Sequence, residues 1–432
     1  LLKILFLGFL KKRIRIKMNQ IEQNKYGNQQ QTLITGYLLV VFGVFISFFF
    51  GFGVEGEAIF KLSRPRDPYV IPNLIIPASK YNLLISFLLV FFGVRLLIKR
   101  MSSFSSLYLG LGFFLLITCF LVWATAGKSF SLTGMLQATI IRATPIALAA
   151  LAGVLSERVA IINIGIEGML LVGAFAGAVF GSLFGGVIGL LCAILVGGLF
   201  GLLHAVLVIT YRVDQIISGV AINILALGLT SFLTSSLLKS KPELNDAPIF
   251  KPIKIPFLSD IPIIGPTLFQ QNFFVYGAII LVIASTYYIF KTSIGLRLRA
   301  VGEHPKAADT LGVNVLRIRY LNVTLAGMVA GFGGAWFTLG SVGRFDEAMT
   351  GGRGFIGLAA MIFGRWHPVG ALMAALIFGF ADSLQQKLAI LRTPIPSEFL
   401  AMAPYIATIV FVAGLIGRAR APSAIGKPYI KD

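Results

Sequence analysis

Apolar runs of about 20 residues alternate with short polar stretches from residue 33 onward, and that is the length needed to carry an α-helix through a bilayer's hydrocarbon core. Runs near 33–53, 81–98, 107–124, 138–155, 163–181, 187–210, 216–238 and 273–290 are followed by 321–343, 353–364, 369–387 and 399–417. A surface helix of a soluble protein carries a polar face. These runs lack one, so the pattern predicts an all-α, polytopic transmembrane helix bundle of about 10–12 segments. The dozen residues of 353–364 reach only about 18 Å as a helix, and that segment is expected to be broken or re-entrant.

Composition agrees with the pattern: of 432 residues, 57% are hydrophobic and 12% charged. A formal charge of +20 in a soluble protein would point to nucleic acid, but here the bases collect in alternate loops and no nucleic-acid partner is expected. With the N-terminus inside, Arg95, Lys99, Arg100, Arg158, Arg212, the 291–319 loop, Arg365, Arg418 and Arg420 all fall on the cytoplasmic side. Residues 1–32 carry an apolar stretch too short to span, with most of its bases after it, and read as a basic cytoplasmic tail rather than a signal peptide. Residues 33–130 then form N-terminal transmembrane segments, 131–417 a core, and 418–432 a second cytoplasmic tail. The outer loop 239–272 is rich in proline, which prevents regular helix and favours an extended cap over the bundle. Cys119 and Cys192 lie inside apolar runs, while His204, His304 and His367 are scattered. Neither a disulfide framework nor a metal site is expected.

Several short motifs carry no chemistry. The G-x-G-x-x-G matches at 51–56 and 352–357 sit in no βαβ unit, and the P-loop-like Ala126-Gly127-Lys128-Ser129 has Val122 where the first glycine belongs, so no nucleotide site is encoded. Polar residues inside the spans are more informative, because hydrocarbon penalises them unless they face a cavity or a partner. They are Asn163, Glu167, Asn223, Asn322, Arg353, Asp382 and Gln385. Asn163 and Glu167 lie four apart, which on a helix gives them one face. A helix–helix hydrogen bond explains any one of these residues, but together they point to a lined pathway. The glycine-led stretches 162–177 and 351–372 also resemble each other and run in opposite directions in this topology, as inverted repeats do around a transporter's midplane site.

Three stretches carry a family resemblance: TPIALAALAGVLSERVAIINIGIEGMLLVGAFAG (144–177), TSIGLRLRAVGEHPKAADTLGVNVLRIRY (292–320) and GGRGFIGLAAMIFGRWHPVGALMAALIFG (351–379). They resemble permease subunits of bacterial ABC importers, in the branched-chain amino acid, ribose and nucleoside class. LSERVAIINIGIEGM and AVGEHPKAADTLGV look most like the nucleoside permeases that work with basic-membrane-protein-type binding lipoproteins.

The resemblance implies a multi-pass inner-membrane subunit that forms half of a pathway and pairs with a second homologous permease. Two cytoplasmic ABC ATPases would drive it and an external substrate-binding lipoprotein would deliver the ligand, so this chain is expected to be no enzyme and to hold no cofactor. Pathway candidates are Asn163, Glu167, Phe175, Asn223, Arg353, Phe355, Asp382 and Gln385. The ATPase would dock on the 291–319 loop through Glu303, Lys306, Ala307, Ala308 and Gly312, with Lys306 standing where such loops usually carry a glutamate. Glu167 and Asp382 would also fit an ion-coupled secondary transporter. A channel, or a permease for sugars or branched-chain amino acids, is the other alternative.

Overall fold

The computed structural model describes residues 29–65, 67–99, 105–391, 399, 402 and 420–431. Among them are ten helices long and apolar enough to cross a bilayer and one shorter apolar helix, as the hydropathy pattern predicts. The expected crossing at 399–417 and most of the 1–32 tail lie outside the described residues. The described residues form two compact units, one drawn from 29–64, 71–132 and 390–391, the other from 65–70, 133–389 and 420–431.

The first unit contains α1 (Gln29–Gly51), α2 (Ala78–Lys99) and α3 (Ser105–Ala124). Leu39, Ile46, Leu89 and Cys119 form its core. A hydroxyl pair stitches α1 to α2, with Ser47 Oγ 2.6 Å from Ser86 Oγ, which itself donates to the Gly43 carbonyl. The connections make a small sheet in the order β2 (Leu74–Pro77), β1 (Glu57–Lys61), β3 (Ser129–Ser131).

The second unit is built on α4 (Leu132–Glu157), α5 (Ile166–Phe184), α6 (Gly186–Ala205) and α11 (Val315–Phe337). Small residues let three of these backbones touch. A Cβ on Gly334 would collide with the Leu170 carbonyl of α5, and one on Gly331 with the Ala193 carbonyl of α6. Gly173 meets Gly331 while Gly177 meets Ala335, so α5 and α11 run parallel; Gly197 meets Gly331 while Gly201 meets Gly327, so α6 runs against them. Leu148 to Ala152 of α4 are fully buried beside this block. Around it stand α7 (Gln215–Leu233) and α8 (Phe273–Lys291), whose Ile224, Phe232, Ile280 and Ile283 are exposed, as lipid-facing residues are.

The proline-rich 239–272 stretch holds only short helical turns and a two-residue ladder between β4 (Ile253–Lys254) and β5 (Gln270–Gln271). The 291–319 loop is helical, and each helix has its own side-chain cap. Thr292 Oγ1 accepts from Gly295 N at the start of α9 (Ser293–Glu303), His304 Nδ1 from Ala307 N at α10 (Pro305–Thr310), and Asn314 Oδ1 from Arg317 N at α11. Gly312, at φ +77°, ends α10: the Val313 amide turns back to the Ala308 carbonyl at 3.1 Å. Two further helices complete the unit, α12 (Arg353–Phe363) and α13 (Pro368–Ile390).

Candidate substrate pathway

Between α4 and α5 the backbone is non-helical from Arg158 to Gly165, and Ala160 takes a left-handed φ of +65°. This corrects the expectation that Asn163 and Glu167 share a helical face: Asn163 precedes α5, which begins only at Ile166. Irregular backbone inside a bundle survives when neighbouring side chains satisfy its amides and carbonyls. Here Ser156 Oγ donates to Ile161 O at 2.9 Å, the Ile162 amide to Gln215 Oε1 at 2.7 Å, and Asn223 Nδ2 to Ile164 O at 3.0 Å. His204 Nε2 lies 2.9 Å from the Ile162 carbonyl, which only accepts, so this nitrogen carries the proton and Nδ1 faces Ser218 Oγ at 2.9 Å. Asn223 Oδ1 also accepts from the Gly168 amide. Asn163 is fully buried in this segment with Oδ1 unpaired among the described residues.

Glu167, in the first turn of α5, reaches the start of α12. One carboxylate oxygen accepts from the Thr350 hydroxyl at 2.7 Å and the Gly352 amide at 2.8 Å, and the other from the Gly354 amide at 2.6 Å. Gly351 and Gly352, at φ +55° and +78°, make the turn that aims these amides. The carboxylate thus caps a helix that has no side-chain cap of its own, with a charge of the favourable sign for an N-terminus. With 11 residues, α12 extends about 16 Å, half of a membrane's hydrocarbon thickness. It leads to the end of the bundle that carries α9, where Trp366 Nε1 donates to Glu157 at 2.6 Å and Arg158 Nε donates to the Trp366 carbonyl at 2.8 Å.

Beside the start of α12 lies a charge cluster. Asp382, near the middle of α13, accepts through Oδ2 from Arg353 Nη2 at 3.3 Å and from Arg142 Nη1 at 3.0 Å, Arg142 being near the middle of α4. Arg142 also donates to Gln386. Each of the three side chains retains about a fifth to a quarter of its exposure. Including the capped Glu167, two cations and two anions balance within the cluster. Arg353 is further fixed by the Thr350 carbonyl at 3.2 Å and by the Phe337 ring, 5.7 Å from its Cζ.

The structure brings Glu167, Arg353 and Asp382 together and places Asn163 and Asn223 at the unwound segment. Phe175 packs edge-on against Phe345 at 5.2 Å, a core contact. Phe355 is exposed on α12, and Gln385 is half-buried on α13 beside Gln386, the residue that holds Arg142. Arg142, Thr350 and Gln386 are absent from the sequence-based set. Arg142 and Gln386 had a visible signal, a polar side chain inside an apolar run, whereas Thr350 lies between runs and had none.

At the α9 end, Arg158 and Arg299 lie 5.3 and 5.4 Å from the Phe290 ring centre, with His367 stacked on that ring at 4.6 Å. Burial and the neighbouring Arg158 charge hold the His367 imidazole below its ordinary pKa. Burial likewise lowers that of Arg158, while Glu303 opposes the shift. Along the 291–319 loop, Ala308 is buried, whereas Glu303, Lys306, Ala307 and Gly312 are exposed and Leu311 protrudes at 84% exposure.

A spanning bundle with a half-length helix and a polar cluster at its start is the architecture of a membrane transport subunit. The chain belongs to the family described as the permease component of branched-chain amino acid transport systems, whose model matches residues 135–420. It is 45% identical over 308 residues to the guanosine ABC transporter permease protein NupQ of Bacillus subtilis, covering 69% of this chain and 96% of that one. It is 41% identical over 303 residues to the nucleoside ABC transporter permease protein NupC of Lactococcus lactis, covering 68% and 95%. A putative glucose ABC transporter permease of Haloferax volcanii is 32% identical over 327 residues, covering 69% and 98%. No solved structure matches the chain. The chain is therefore a multi-pass ABC permease subunit, of a family that works with separate ATPase and substrate-binding partners.

Proposed function

We propose that this permease imports nucleosides across the bacterial inner membrane, with both termini and the α9–α10 segment on the cytoplasmic side. The observation that carries the reading is the 45% and 41% identity to guanosine and nucleoside permeases over nearly their whole length. The charge balance of Arg142, Arg353, Asp382 and Glu167 supports it: an uncharged ligand rich in hydroxyl and amide groups can exchange hydrogen bonds with the exposed parts of this cluster without bringing a counter-charge. Ionic groups that retain solvent exposure near the middle of two spans need water or protein over them, which a pathway shared with a second homologous permease would supply. Asn163 and Asn223 hold the wall of that pathway, and Phe355 and Gln385 flank it.

The cytoplasmic ATPases engage the α10 corner. Ala308 anchors it, while Lys306, Ala307 and Leu311 face outward, and Gly312 sets the turn. Closure of the ATPases displaces this corner, and the binding lipoprotein delivers ligand at the opposite end. An ion-coupled carrier would need a carboxylate free to exchange its partners, whereas Glu167 accepts three hydrogen bonds and Asp382 pairs with two arginines.

The test is uptake of labelled guanosine by vesicles carrying the whole complex, with active or inactivated ATPase and with excess nucleoside, sugar or branched-chain amino acid as competitor. ATP-dependent uptake blocked only by nucleosides is expected. Competition by glucose alone would move the substrate to the sugar class, and uptake collapsing with the proton gradient instead of with ATPase loss would favour the ion-coupled carrier.

A further inference from the structure

Residues 421–430 look like a tail in the sequence, with two prolines and a glycine in ten positions, yet they are fitted against the α9 end of the second unit. Ser423 donates from both its amide, at 3.2 Å, and its hydroxyl, at 2.6 Å, to the Glu303 carboxylate at the end of α9. The Ala424 amide donates to the Gly302 carbonyl at 3.1 Å, and the Gly426 amide to the Ala160 carbonyl at 3.3 Å. Tyr429 is buried, and its ring centre lies 5.8 Å from the guanidinium carbon of Arg319 on the first turns of α11.

Arg319 is 2% exposed, and no hydrogen-bond acceptor among the described residues reaches its Nε or Nη2. A desolvated cation with two of its nitrogens lacking acceptors depends on what remains near it, and the face of an aromatic ring is such a partner. Tyr429 therefore anchors the segment from inside the protein, while Ser423, Ala424 and Gly426 fasten it to two separate elements. One is α9. The other is the unwound 158–165 segment, where the left-handed turn at Ala160 presents its carbonyl.

These two elements also touch directly, since a Cβ on Gly302 would collide with the Arg158 carbonyl. Van der Waals contact of this kind transmits a push but not a pull, because separating the surfaces costs little once they part. Hydrogen bonds resist separation as well, and the Tyr429 ring against Arg319 of α11 keeps the segment that makes them seated. The unwound segment runs straight into Glu167, which holds the start of α12, so a pull on Ala160 has a short route to the charge cluster.

We propose that residues 421–430 form a strap that makes α9 and the 158–165 segment move together in both directions, with Tyr429 and Ser423 as the positioning residues. Displacement of α9 then reaches Glu167 on the return stroke as well as on the closing stroke. The proposal rests on the ATP-driven transport reading above.

The experiment measures ATP hydrolysis and guanosine uptake in the same proteoliposomes, using the complete complex with this chain unaltered, ended after Arg420, or carrying Tyr429→Ala, Tyr429→Phe or Ser423→Ala. Ending the chain after Arg420 and Tyr429→Ala are expected to leave hydrolysis within about twofold while lowering uptake per ATP about tenfold, the scale of a coupling between two sites. Ser423→Ala, at the exposed end of the strap, is expected to lower the ratio about threefold, and Tyr429→Phe, which keeps the ring face, to restore it. An unchanged ratio in the variants overturns the proposal. So does a proportional fall of hydrolysis and uptake, which would make the strap a brace for folding or assembly only. Uptake by the unaltered complex without ATP would instead fail the transport reading, before any variant is compared.

Discussion

The carboxylate of Glu167 closes the start of a helix whose first amides lie far along the chain, with 2.6 Å between its Oε2 and the Gly354 nitrogen. No side chain near α12 in sequence does this work, so the helix depends on a residue from the opposite half of the core.

Removing that carboxylate leaves two amides and a hydroxyl unpaired inside the bundle, a cost on the order of 3 kcal/mol or more. Glu167→Ala is expected to lower both the unfolding temperature of the purified permease and its uptake, the latter at least about tenfold. Glu167→Gln keeps one acceptor and should fall between. Scanning fluorimetry and vesicle uptake on the same samples check the order; equal behaviour of the three proteins would refute the capping role.

Asp382 serves two arginines, so its loss should cost more than the loss of either. Asp382→Asn takes from Arg142 and Arg353 the ion-pair partner they share and is expected to reduce uptake about tenfold, against about threefold for Arg142→Gln, which spares the Arg353 pair. Uptake normalised to the amount of permease in the membrane reads the ranking, and a larger effect from Arg142→Gln would invert the assignment.

Gly312 stands in open space, and a Cβ there meets nothing within 4 Å, but its φ of +77° penalises ordinary residues by about 1–2 kcal/mol. Gly312→Val should therefore abolish ATP-driven uptake by shifting the α10 corner while membrane insertion stays intact. Gly312→Asn, which tolerates the left-handed region, should retain much of it. Full uptake by Gly312→Val would remove this corner from the coupling path.

His367 adds a pH dependence at the α9 end. Its folded-state pKa lies below the ordinary value near 6.5, so between the two the unfolded or undocked form binds the proton more readily. Stability from the His367–Phe290 stack is present in full above about pH 6.5 and falls as the pH drops from there toward the folded-state pKa. Melting temperatures between pH 5 and 8 are expected to fall on the acid side, less steeply in His367→Phe, which keeps the stack; parallel curves would discard the linkage.

Much of the bundle was legible because hydrocarbon imposes length and apolarity on every span, and the shortness of 353–364 foretold a helix that stops halfway. The unwound segment was not legible: in IINIGIEG the residues that hold the backbone open, Gln215, His204 and Asn223, come from other elements, and nothing local marks Ala160 as left-handed. Of the pathway candidates, Glu167, Arg353 and Asp382 stood out by charge and do converge, whereas Phe175 could be told from a core aromatic only by its contact with Phe345. The strap escaped notice because proline, glycine and lysine give 421–430 the composition of a solvated end.

The contacts of Gly331 and Gly334 with α6 and α5 bear on how the gene can change. Most lipid-facing positions on α7 and α8 exchange one greasy side chain for another with little effect, but at these two glycines the smallest addition forces two backbones apart. A saturating library of variants should therefore show α7 and α8 as broadly permissive and Gly331 and Gly334 as near-silent columns, in which only the encoded residue survives selection for uptake.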